Sequence, residues 1–283
     1  MDAFAHCEQL VRAADKDRFF ATLFAPAKYR RALFALYAFN VEVARVRELA
    51  REPLPGEMRL QFWLDFLENR SHGGTEAHPV ASALTDTIVR YGLRPQRLAD
   101  LLGARRFDLY NEPFGTIEEL EAYAEKTSSV LIELAARILS NGSDPGIGAL
   151  ARHAGTAYAV AGLLRAFPLH AARGQLYVPV ELLDRHSARP EDVFAGKKSP
   201  ELRAALADMR QLARRHLAAA QQLLPAAPPA LLPALLPVAL VRPTLKRLDR
   251  RQNNPFRLME IPPWRRQWII WRAARDPRRI TRA

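Results

Sequence analysis

Apolar positions recur along this chain at intervals of three and four residues, the spacing that lines up one side of an α-helix. Pro26 opens a segment running to about Ala50, with Leu33, Leu36, Tyr37, Asn40, Val43 and Arg47 near one face. Pro53, Pro55 and Gly56 are expected to break the chain before a helix over about Glu57 to Asn69. Gly73-Gly74 reads as a loop, Pro79 to Arg90 as a helix stopped at Gly92, and Pro95 as the start of another running to about Tyr110. Thr116 with Glu119 three residues on resembles a capping box, and the helix behind it reaches about Leu139, ending at Asn141-Gly142. Ile147 to Phe167 is expected to end at Pro168, with 171–179 an irregular connector and Leu182 to Phe194 one short helix. Pro200 to Leu224 has an Ala/Leu side and an Arg/Gln side, and Pro262-Pro263 opens a last helix to about Arg275.

No run alternates with period two, and no repeat occurs at solenoid periods. The pattern predicts an all-α chain of about ten helices: one domain over residues 1–260 and a basic Trp/Arg-rich helix over 261–283. The connectors near 71–78, 168–178 and 251–262 are the candidates for mobile lids. Leu223 to Val241 is apolar and nearly long enough to span a bilayer, but it holds Pro225, Pro228, Pro229, Pro233 and Pro237. Proline removes amide donors, so the stretch is read as a proline-kinked buried helix rather than a membrane span. Met1 to Asp17 has acids and no uninterrupted apolar run, so no secretory signal is expected there.

Charge sharpens this picture. The net charge is +12, yet residues 1–202 carry 25 Lys+Arg against 26 Asp+Glu, whereas residues 203–283 carry 17 against 4. The basic character belongs to the C-terminal part and points to an anionic partner there. Trp264, Trp268 and Trp271 recur at spacings of four and three, ringed by Arg265, Arg266, Arg272, Arg275, Arg278, Arg279 and Arg282. Tryptophan favours the headgroup level and arginine favours anionic lipid, so Trp264, Trp268, Trp271, Arg265 and Arg272 are candidate membrane contacts. The alternative packs the Trp stripe against the bundle. Nucleic acid is disfavoured as a partner, because no binding module accompanies the basic residues. The single cysteine, Cys7, excludes a disulfide framework and a thiolate zinc site, and reads as an incidental half-buried thiol. His6, His72, His78, His153, His170, His186 and His216 show no ligand spacing, and Ser128 and Ser129 have no base motif near them.

Two stretches carry a family resemblance. Arg31-Ala32-Leu33-Phe34-Ala35-Leu36-Tyr37-Ala38-Phe39-Asn40, running on to Glu48, resembles the helix of squalene and phytoene synthases that leads into their first acidic motif. Leu163-Leu164-Arg165, followed by Arg173-Gly174-Gln175-Leu176-Tyr177-Val178-Pro179, resembles their second acidic motif and the element after it; Tyr123 falls where that family also has a Tyr. The likeness runs in order from about residue 15 to 255. It implies an isoprenoid-synthase-like helical bundle around a central cavity, across which two acidic motifs hold Mg²⁺ and a diphosphate leaving group.

This sequence departs from that pattern where the chemistry needs it most. The family's Asp-x-x-x-Asp falls on Ala44-Arg45-Val46-Arg47-Glu48, and its Arg-Asp-x-x-Glu-Asp falls on Arg165-Ala166-Phe167-Pro168-Leu169-His170. Ala, Leu and His offer no hard oxygen to Mg²⁺, and Glu42, two residues from Ala44, lies on another side of the helix. The departures resemble a non-catalytic subgroup related to the mitochondrial factor for complex I assembly. The resemblance implies an accessory or assembly factor for a respiratory membrane complex; together with the basic Trp-bearing tail, it leads to the expectation of a cytoplasmic protein peripheral to the inner membrane, with no cofactor or metal. The alternatives are a Mg²⁺-dependent prenyl transferase working through Glu42 and Glu48, and a metal-free binder of an isoprenoid or lipid. Ligand candidates for the latter are Arg31, Arg45, Tyr123, Arg165, Arg173 and Tyr177, with Arg47 a further cavity-lining arginine.

Overall fold

The computed structural model describes residues 2–50, 52–68, 78–250, 253–258 and 260–281. His72, the Gly73-Gly74 loop, Arg282 and nearly all of the 71–78 connector lie outside the described residues. In chain order the α-helices are α1 (Ala3–Ala14), α2 (Lys16–Thr22), α3 (Ala27–Ala44), α4 (Val46–Leu49), α5 (Pro53–Leu67), α6 (Pro79–Tyr91) and α7 (Pro95–Arg105). Then come α8 (Ile117–Ala124), α9 (Val130–Leu139), α10 (Gly148–Ala172), α11 (Val180–Arg185), α12 (Pro190–Phe194) and α13 (Pro200–Leu223). α14 (Leu232–Leu235), α15 (Val241–Arg250) and α16 (Pro263–Arg275) complete them. Among the described residues there is no strand: the chain is all-α.

The helices pack as two compact units, each gathered from three stretches of chain: 1–110, 130–148 and 227–237 in the first, and 111–129, 149–226 and 238–283 in the second. The core of the first unit is α3, on which α1, α6 and α9 pack. Every residue from Ala32 to Val41 is buried, so α3 is apolar all round rather than on one face, as befits a helix enclosed by others. Phe39 meets the Trp63 ring of α5 edge-on at 5.0 Å. Gly92 ends α6 in the left-handed region, φ 55°, a backbone state glycine adopts without strain.

The second unit is built on α13, whose buried side runs through Leu202, Leu206, Met209, Ala213 and Leu217 and meets α11 and α15. Buried Arg210 reaches Asp249 of α15 at 3.1 Å, and Arg214 pairs with the same carboxylate. α8 runs into a π turn over Glu125–Ser129, where Thr127 donates its hydroxyl to the Tyr123 carbonyl at 2.7 Å. Gly155 of α10 lies so close to this turn that a Cβ would sit 2.4 Å from the Ser129 Cα.

Several expected boundaries change. α5 begins at Pro53 and contains Pro55 and Gly56, because first-turn amides have no helical partner to lose. α10 passes through Pro168 to Ala172; a proline one turn from the end removes one bond, and buried Phe167 and Ala171 on either side hold that turn. Residues 182–194 form two short helices, α11 and α12, not one. Leu223 to Val241 is not a single kinked helix: its prolines cut it into 3₁₀ turns at Leu224–Ala226, Pro229–Leu231 and Leu236–Leu240 around the four-residue α14, with Leu235, Leu236 and Val238 buried. No helix among the described residues is long and apolar enough to cross a membrane. Cys7 is fully buried, not half-buried.

Candidate functional site

The segment matching the first acidic motif straddles the end of α3. Ala44 is the last residue of α3 and Arg45 the joint before α4. Glu48 is half exposed, with its carboxylate 3.7 Å from the Arg45 guanidinium. Glu42 lies elsewhere, 3.4 Å from His78 Nε2. Burial pushes Glu42 up to about 7, opposed only in part by Arg59. Burial likewise pushes His78 below its ordinary value, with the charge of His6 adding to the effect. Each group is thus driven toward its neutral form, and 3.4 Å is longer than a charge-assisted hydrogen bond. The rings of Trp63 and Phe62 stand 5.3 and 5.5 Å from His78 and give it an apolar wall. Burial, with the Glu42 charge nearby, pushes the Cys7 thiol up to about 12, so it is no nucleophile. Arg31 points to the surface, paired with Asp2 and 4.5 Å over the Phe4 ring. Arg47 donates to the Ala50 carbonyl at 3.2 Å and caps α4.

In the second unit, the segment matching the second motif forms the last turns of α10. Arg165, Ala166 and His170 are partly buried, and Arg173 is exposed just beyond the helix. The His170 ring lies 4.5 Å from Tyr177, and Tyr177 lies 6.3 Å from Tyr123 and 6.2 Å from Phe114. The fold therefore gathers Tyr123, His170 and Tyr177 into one aromatic cluster. Its connector is pinned by Val180 N–H to the Phe114 carbonyl at 2.8 Å and Glu181 N–H to the Gly115 carbonyl at 3.0 Å. Tyr123 is buried and packs rather than facing solvent.

Folding also creates a chain that residue spacing did not announce. His153 of α10 and His216 of α13 approach at 3.0 Å between their Nδ1 atoms, and Glu121 of α8 lies 2.9 Å from His216 Nε2. One ring must donate and the other accept. Burial first, then the adjacent His216, holds His153 below its ordinary value, toward the neutral ring. Ser129, for which the sequence shows no base motif, donates to the Arg152 carbonyl at 3.0 Å and serves packing.

The third region is α16. Ile270 and Ala273 are buried, whereas Trp264, Trp268 and Trp271 are 68%, 51% and 37% exposed. At 100° per residue these tryptophans lie opposite the buried side. The indoles of Trp268 and Trp271 stack at 4.9 Å, and Arg275 sits 4.4 Å over Trp271. Exposed Arg265 and Arg272 flank the stripe. The stripe does not pack against the bundle; it faces outward.

With these sites laid out, the sequence can be compared with known proteins. The sequence profile of the squalene/phytoene synthases matches residues 11–272. The chain belongs to the squalene/phytoene synthase family. It is 32% identical over 216 residues, 76% of its length, to complex I assembly factor 6 of Rattus norvegicus. It spans 65% of that relative, just under two thirds. It is 33% identical to the Drosophila melanogaster homologue of that factor, over 87% of this chain and 75% of the relative. Among solved structures, squalene synthase HpnC of Alicyclobacillus acidocaldarius superposes with a TM-score of 0.76 at 22% identity, covering 90% of this chain and 95% of that one; at that identity the likeness establishes the isoprenoid-synthase fold.

The family's Mg²⁺ does not fit the residues present. A hard divalent cation needs several ionised oxygens converging on one point. Here the first segment offers only Glu48, at the surface beside an arginine, and Glu42, driven toward protonation against His78. The second offers no carboxylate at all from Arg165 to His170. No three His, Cys, Asp or Glu side chains among the described residues converge on a metal position.

Proposed function

We propose that the protein is a non-catalytic assembly factor for a respiratory complex of the complex I type, held at a membrane surface by α16. The observation that carries this reading is a family fold in which carboxylates are missing where the resemblance puts the second acidic motif. Without them, leaving-group ionisation has no metal to neutralise the developing charge. The names of the rat and Drosophila relatives support the assembly role. The outward Trp/Arg stripe supports the membrane contact, since it combines interfacial aromatic rings with cations suited to anionic headgroups.

The test pairs a cellular and a chemical experiment. Deleting the gene is expected to deplete assembled complex I on native gels, and both wild type and Glu48→Ala are expected to restore it. Pure protein given farnesyl and geranylgeranyl diphosphate with Mg²⁺ and NADPH is expected to release no pyrophosphate. Normal complex I in the deletion strain refutes the assembly role. Turnover that Glu48→Ala abolishes makes the protein a prenyl transferase instead.

A further inference from the structure

A cavity of about 320 Å³ lies in the first unit, between the start of α7, the middle of α9 and the loop into α10. Its charged lining is Arg94, Arg97, Glu133, Arg137 and Asp144. None of Glu42, Ala44 or Glu48 belongs to it, so it is separate from the region of the first acidic motif. Three of its charged groups already have partners: Arg97 pairs with Glu133, and exposed Asp144 accepts the Gly146 N–H at 2.9 Å while keeping its charge. Arg94, exposed at the N-cap of α7, and Arg137, partly buried on α9, remain. The Nε of Arg137 is shielded from solvent with no hydrogen-bond partner among the described residues, a costly state for a cationic donor. A Cβ at Gly146 or Gly148 would meet no atom within 4 Å, so the backbone there borders open space. Leu134, Pro145 and Ile147 supply an apolar remainder to the wall.

We propose that this cavity binds the phosphate group of a small phosphomonoester. Two guanidinium groups without a carboxylate partner call for an anion, and phosphate offers acceptor oxygens on several sides for planar arginine forks. The apolar wall and the volume leave room for a short substituent on the phosphate.

Calorimetric titration of the full chain with inorganic phosphate and ethyl phosphate, at constant ionic strength, tests the site. Saturable binding at one site per chain is expected, with ethyl phosphate the tighter. Arg137→Met should weaken it roughly tenfold or more, the loss of one charge-assisted guanidinium contact. Gly148→Asp should do the same by putting a carboxylate into the open space, while keeping the melting temperature, since an acid is favourable at the first turn of α10. Binding of phosphatidic acid vesicles that Arg137→Met removes, with no response to free ethyl phosphate, identifies the source as a lipid headgroup. No saturable binding in any arm, or equal affinity in wild type, Arg137→Met and Gly148→Asp, overturns the assignment.

Discussion

Glu42→Gln is the substitution whose effect on stability follows most directly from the structure. Burial raises Glu42 from its ordinary value of 4.5 to about 7. A group raised in the folded state contributes stability that is fully present below 4.5 and is lost as pH climbs through 7. At 1.36 kcal/mol per pH unit the rise corresponds to ~3 kcal/mol. The side chain is 27% exposed, and screening by that water trims the figure to about 2 kcal/mol. Gln is nearly isosteric and carries no charge, so the variant should be more stable than wild type by about 2 kcal/mol at pH 8.5, and the gap should largely close at pH 5. His78 titrates with the opposite slope, because its value is lowered and its share of stability is lost as pH falls. It lies 3.4 Å from Glu42, so the part of its titration that is coupled to Glu42 enters the difference as well. Urea unfolding followed by tryptophan fluorescence at several pH values reads the gap, and Trp63 stands beside the site. A gap that stays constant between pH 5 and 8.5 would refute burial of an ionising Glu42.

Other expectations are equally concrete. Gly155→Ala should destabilise the second unit by about 3 kcal/mol in thermal or urea unfolding, because the added methyl meets the Ser129 backbone at 2.4 Å and backbone cannot swing aside. Asp249→Ala strands Arg210, which is 6% exposed, and should cost about 2 kcal/mol, less than a fully buried pair because Asp249 itself is 42% exposed. Trp268→Ala with Trp271→Ala should change stability by no more than ~0.5 kcal/mol yet weaken sedimentation with anionic vesicles more than roughly tenfold, from the apolar area no longer buried in lipid; unchanged sedimentation would remove α16 from the membrane contact.

How much of this was legible in advance differs from site to site. The missing carboxylates are a matter of residue identity, so Ala44, Ala166 and His170 could be read directly against the family pattern. The Trp264, Trp268 and Trp271 stripe was legible as a periodicity, but whether it faced the protein or the outside depended on Ile270 and Ala273 taking the inner side. Helix ends were least legible where proline was involved. Its cost depends on position in the turn, which is why Pro53 starts a helix and Pro168 is carried within one. The His153–His216–Glu121 chain had no sequence signal, since its members are 63 and 95 residues apart and on three helices.

Local rules therefore determined the class of this protein. Period, proline placement and the order of motif residues act within one or two helical turns, and they suffice to specify an all-α chain of this family without its acids. Packing decided the rest. Only the packing of α3 against α6 brings Glu42 beside His78, and only residues of α7, α9 and the 142–148 loop brought around one space leave Arg94 and Arg137 beside an open cavity. Desolvation and charge pairing depend on what surrounds a group in space, and neighbours brought from distant parts of the chain leave no trace in its local pattern.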